Sequence, residues 1–89
     1  MFKGVQENDL GLVEFYLRSG IDPNYQHPEF MALPLSESIR YNHLAITKTL
    51  LTNGADPHLT EMESGKTPLA LARHKNNPAM VELLEEYAV

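Results

Sequence analysis

Apolar residues recur at helical spacing in three places along this chain. Leu10, Val13, Tyr16 and Leu17 fall at i, i+3, i+6 and i+7, the spacing of one helical face, and predict a helix over Leu10 to Ser19. Leu44, Ile46, Leu50 and Leu51 mark a second over Leu44 to Asn53. Met80, Val81, Leu83 and Leu84 mark a third from Ala79 to about Tyr87. Gly20 and Gly54 stop the first two, since glycine takes the left-handed backbone that closes a helix, and Pro23 and Pro57 follow, where a helix cannot continue. A shorter helix is predicted before each long one. Met1 to Asn8 presents Met1 or Phe2 and Val5 inward, Pro34 to Tyr41 presents Leu35, Ser38 and Ile39, and a third begins at Pro68 and packs Leu69, Leu71 and Ala72. Asp9 and Thr67 are the predicted N-caps. Each side-chain oxygen accepts from an orphan helix N–H, and Pro68 in the first turn has no N–H to satisfy. Gly11 lies inside a helix at a cost of up to ~1 kcal/mol relative to Ala. Its counterparts Ala45 and Ala79 are also small, which predicts a close helix contact at that level.

The pattern repeats with a period of 34. Sliding the sequence against itself by that distance aligns 55 pairs, of which 12 are identical, against roughly 3 or 4 expected from ordinary residue usage. Gly54, Asp56 and Pro57 match Gly20, Asp22 and Pro23, and Pro68-Leu69 match Pro34-Leu35. Such a chain is a stack in which each unit buries its apolar face against a neighbour.

Thr67-Pro68-Leu69-Ala70-Leu71-Ala72, then Met80-Val81-Glu82-Leu83-Leu84, and Leu50-Leu51-Thr52-Asn53-Gly54-Ala55-Asp56 before them, resemble the ankyrin repeat. Ala70 departs from the family's usual His and Leu33 from its usual Thr. The period is one residue longer than the common repeat, with the extra residue placed in the turn between repeats. The resemblance covers nearly the whole chain. It implies an all-α, ankyrin-type solenoid of three helix-turn-helix repeats, approximately 1–32, 33–66 and 67–89, in one domain, with finger-like turns projecting between repeats and a concave surface lined by the first helix of each.

Composition narrows the function. The 89 residues include no cysteine, which removes disulfides, thiolate metal sites and a Cys nucleophile and fits a reducing, cytoplasmic setting. No apolar run approaches the ~20 residues of a membrane span, and Met1-Phe2-Lys3-Gly4 lacks a signal-peptide core. A net charge of −5 with scattered basic residues argues against nucleic acid. In the last repeat Glu85 stands where Leu17 and Leu51 stand earlier, and the first lacks a Thr-Pro start, so both ends read as caps of a complete small protein.

Candidate chemistry is sparse. His27, His43, His58 and His74 have no i, i+3 or i, i+4 partners of metal-ligand type, and His43, at a turn between paired helices, is expected to bond a backbone carbonyl. Ser36 and Ser38 lack a general base at a recognisable spacing, and Glu82, Glu85 and Glu86 read as a solvated face. No enzyme activity, cofactor or metal is expected.

The binding signal is a surplus of large side chains where the fold implied by the resemblance exposes them. Tyr25, Phe30 and Met31 lie in the first finger, with Met31 at the position of Gly65 in the second. Glu37, Arg40 and Tyr41 are left over on the first helix of the middle repeat, and His74 and Lys75 close the set in the last. The resemblance implies a protein-binding module, and the acidic balance suggests a basic or mixed partner. Tyr25, Phe30 and Tyr41 are the expected anchors, each worth ~2 kcal/mol or more if fully desolvated. One specific version is an inhibitor or immunity-type protein that occludes a partner enzyme's active site. The alternative is a self-associating structural protein, weakly motivated by the polar Thr47 and Thr49, although a monomer is expected over a homo-oligomer.

Overall fold

The computed structural model describes residues 1–29 and 31–88. Phe30, named above as an anchor, lies outside them. Among the described residues there are six helices and no strand: α1 (Phe2–Gln6), α2 (Leu10–Arg18), α3 (Pro34–Arg40), α4 (Leu44–Thr52), α5 (Pro68–His74) and α6 (Pro78–Tyr87). They form three pairs, each a short helix followed by a longer one.

The turn inside each pair is built the same way. Asn8, Asn42 and Asn76, spaced 34 apart, take positive φ values of 58°, 60° and 53°, a left-handed conformation that Asn tolerates better than most residues. This is why α1 ends at Gln6, short of the predicted Asn8. Asp9 Oδ1 then accepts from Leu12 N at 3.1 Å, and Asn77 Oδ1 accepts from Met80 N at 3.1 Å. Thr67 caps α5, its hydroxyl accepting from Ala70 N at 3.2 Å. α6 begins one residue earlier than predicted because Pro78 occupies its first turn.

Gly20 and Gly54 close α2 and α4 at φ 91° and 98°. Each is followed by an Asx turn, with Asn24 N donating to Asp22 Oδ1 and His58 N to Asp56 Oδ1, both at 2.8 Å. These turns launch the two fingers.

The short helices pack side by side, α3 against both α1 and α5, and the long helices form a second layer, α4 against both α2 and α6. The core runs between the layers through Val5, Val13, Leu35, Ile39, Ile46, Leu50, Ala72, Met80 and Leu84. Thr47, polar in a fully buried position, is internally satisfied: its hydroxyl donates to His43 O at 2.9 Å and lies 2.7 Å from Ser38 Oγ. The close contact expected at Gly11 is absent. Gly11 is exposed, and a Cβ there would meet only Asp9 Oδ1, at 3.7 Å. The tight approach is at Gly4, where a Cβ would sit 3.3 Å from Leu12 and Val13 side-chain carbons. Gly4 has the small, buried counterparts Ser38 and Ala72 at the repeat offset, so the space-limited position lies on the first helix of each pair, one helix earlier than expected.

Candidate functional site

The fingers are paired loops of matching geometry. In the first, His27 N donates to Ala32 O at 3.1 Å and Met31 N to His27 O at 2.6 Å. In the second, Glu61 N donates to Lys66 O at 2.9 Å and Gly65 N to Glu61 O at 2.8 Å. The tight return demands positive φ, which Gly65 supplies at 70° and Met31 adopts at 51°. A non-glycine residue in the left-handed region costs ~1–2 kcal/mol, so Met31 is held there by its surroundings.

Hydrogen bonds fix the fingers to each other. Glu63 N donates to Met31 O at 2.9 Å and Met62 N to Gln26 Oε1 at 2.8 Å, while Gln26 Nε2 donates to Thr60 O at 3.4 Å. Nearer the helices, Asn24 Nδ2 donates to Gly54 O at 3.0 Å and Asp56 N to Asn24 Oδ1 at 2.7 Å.

Where the fingers meet α3, Arg40 gathers three carboxylates. Its guanidinium forks onto Glu61, with Nη2 to Oε1 at 2.5 Å and Nη1 to Oε2 at 3.1 Å, and Nη1 also donates to Glu37 Oε1 at 2.7 Å. Glu63 stands 3.8 Å from Nη1, and Gln6 Nε2 from α1 donates to the other Glu37 oxygen at 3.3 Å. The Glu61 side chain is 0 % exposed and Arg40 29 %. The hydrogen bond to Glu61 is the main influence holding the Arg40 guanidinium protonated beyond its ordinary range, against the opposing effect of burial. Glu37, Glu61 and Glu63 bring oxygens within 4.8 Å of one another, close enough in principle to share a metal ion. The cation they share here is Arg40. Three carboxylates around one guanidinium leave the cluster net acidic.

A groove of about 380 Å³ opens beside this cluster, lined by Gln6, Glu29, Met31, Glu37, Arg40, Tyr41 and Glu63. Tyr41 is half-exposed and its ring stacks on His43, centroids 6.1 Å apart at 13°. His43 Nε2 is 3.3 Å from Gln6 O, the backbone carbonyl contact expected of it.

Of the eight residues singled out from the sequence, Met31, Glu37, Arg40 and Tyr41 converge on this groove. Glu37 arrives with its carboxylate buried and paired to Arg40, so it shapes the groove's wall and offers little open surface. Tyr25 lies elsewhere, on a cavity beside Met1, Phe2 and Tyr16. His74 and Lys75 are exposed at the end of α5, Lys75 beside a cleft formed with Asn42, Asn76, Asn77 and Pro78. Sequence reasoning did not single out Gln6, Glu29, Glu61 or Glu63. Glu29 and Glu63 are an identical pair at the repeat offset, a signal that could have found them. Glu61 had none, because its counterpart is His27 and its partner Arg40 lies 21 positions away across a loop.

Paired antiparallel helices stacked in two layers, with hydrogen-bonded fingers at one edge, define a helical repeat solenoid. Comparison with protein families matches residues 1–89 to ankyrin repeats in three copies. The chain belongs to the ankyrin repeat family, whose repeats are generally non-enzymatic modules of protein–protein interaction. Comparison with curated proteins returned no match. Among the described residues, no helix is long and apolar enough to cross a membrane.

Proposed function

We infer that the chain docks a protein partner in the groove between α1, α3 and the two fingers, and that the partner presents a basic segment. The observation that carries this reading is Met31. It is half-exposed at a backbone conformation its second-finger counterpart meets with glycine, and it lines the same groove as an exposed tyrosine. Strain of this kind persists where surroundings over-determine it and clusters at binding sites. Met and Tyr are side chains enriched at interface cores, and the exposed Glu29 and Glu63 frame them with negative charge. A Lys or Arg side chain entering here would meet carboxylates and the face of Tyr41, while phosphate would be repelled. The fingers are already fastened to each other, so docking would order little new backbone. In an inhibitor or immunity-type version of this reading, the same face covers a partner enzyme's active site.

The test is affinity capture from source-cell lysate with wild type beside a Tyr41→Ala, Met31→Gly double variant, which removes both side chains and relieves the backbone strain. A protein retained by wild type, released by added salt and lost by the folded variant is the expected result. Identical retention by both would refute the groove as the docking surface.

A further inference from the structure

The α1/α2 end of the stack is apolar and hollow. Phe15 is 56 % exposed on α2, Ile21 and Tyr25 are half-exposed, and a cavity of about 400 Å³ opens among Met1, Phe2, Tyr16, Ile21 and Tyr25. The repeat offset shows what fills such a hollow inside the stack. The counterparts of Met1, Phe2, Tyr16 and Ile21 are Leu35, Ser36, Leu50 and Ala55, and all four are buried where the first helix pair packs alongside the second. The Phe15 ring stands edge-on to Tyr16, centroids 5.7 Å apart, and Tyr16 in turn lines the cavity. A projecting ring and a hollow able to receive one therefore share a face. A two-fold interface needs that arrangement, because the same patch must complement itself.

The opposite end cannot serve. α6 exposes Glu82, Glu85 and Glu86, and Glu85 holds the position that Leu51 buries one repeat earlier. Pressing three carboxylates against the apolar end of another copy would desolvate them, and among the described residues only Glu85 has a cation beside it, Arg73 at 3.4 Å. The α1/α2 end carries instead a balanced rim, with Lys3 and Asp22 both lining the cavity. Size also fits. The molecule's shorter dimensions, 25 and 24 Å, bound a flat contact across them at about 600 Å² per copy, so an end-to-end pair could bury at most about 1,200 Å² in all, at the lower edge of stable interfaces.

We propose that two copies of this chain pair through their α1/α2 ends, with Phe15 of each copy seated in the cavity of the other. The groove beside Arg40 stays open in this arrangement, so the pair presents two of them. The net charge of −5 per copy opposes association, and added salt strengthens the pairing.

Sedimentation equilibrium over concentrations rising into the millimolar range tests this. The mass should climb from one chain to two and stop there. Phe15→Glu should hold it at one chain with helicity by circular dichroism unchanged, while Glu85→Lys at the far end and Tyr41→Ala in the groove should leave the pairing intact. Tyr25→Lys reads the same face should Phe15→Glu lose helicity. A single-chain mass throughout, a mass growing beyond two chains, or a dimer that Tyr41→Ala abolishes and folded Phe15→Glu spares would each overturn the proposal.

Discussion

Arg40 and Glu61 are the residues on which the finger geometry turns, and their unequal burial makes their substitutions unequal. Replacing Arg40 with Met leaves the wholly enclosed Glu61 carboxyl without its cation, a loss of about 3–5 kcal/mol. Glu61→Gln leaves a guanidinium that is partly open to water and still bonded to Glu37, so its cost should be nearer 2 kcal/mol. Urea denaturation of the two variants should show that order, and equal costs would mean that Glu61 is hydrated in solution. Ser36 gives a prediction of opposite sign. Its hydroxyl is the one buried side-chain polar atom without a hydrogen-bond partner among the described residues, and its counterpart is Ala70. Ser36→Ala should raise stability by about 1 kcal/mol, read as a higher urea midpoint at unchanged slope. None of this was visible in the sequence. Ion pairs between a helix and a loop follow no periodicity, and Glu61 reads there as one more acidic residue in a polar turn.

At the level of the element, most of the structure was legible because caps and stops are local chemistry. Thr67 with Pro68, Asp9 before Leu10, and Gly20 and Gly54 after the long helices each act through one or two neighbouring backbone groups, and each sits where the sequence placed it. Gly11 was misread because smallness alone does not reveal whether a position is crowded or open. It lies in open space near the start of α2, so Gly11→Ala should stabilise by about 0.5–1 kcal/mol, measurable as a rise in thermal midpoint. Gly54→Val should act oppositely. Nothing lies within 4 Å of a Cβ there, so the loss, about 1–2 kcal/mol or more, would come from φ of +98° alone. A loss under about 0.5 kcal/mol in the same assay would show that the turn can change conformation. The half of the candidate groove that comes from α3 was foreseeable, since Tyr41 and Arg40 are the residues a helical wheel leaves outside. Of the half contributed by the fingers, Met31 was named and Glu29 and Glu63 carry a repeat signal, but their meeting with α3 depends on how two loops lie against each other, which periodicity does not encode.

Taken whole, the molecule has a thin core, and its stability rests on few residues. A chain of this size has roughly 4–13 kcal/mol in all, and Leu50 is fully buried in the middle repeat, between two neighbours. Leu50→Ala should remove about 2–5 kcal/mol and shift unfolding of the entire stack in one transition. Two separated transitions by circular dichroism would indicate that the repeats melt independently. The seams between repeats are unequal in another respect. Asn24, Gln26 and Met31 tie the first finger to the second repeat through bonds to Gly54, Asp56, Thr60, Met62 and Glu63. Among the described residues, the side-chain links to the third repeat are fewer: His58 Nε2 lies 3.1 Å from Ala88 O, and Asn77 Nδ2 donates to Asn42 Oδ1. Under a load applied through its two termini the protein should therefore yield like a seam stitched at one end only, α5 and α6 peeling away first while the first two repeats hold, with the fingers and the groove between them still assembled.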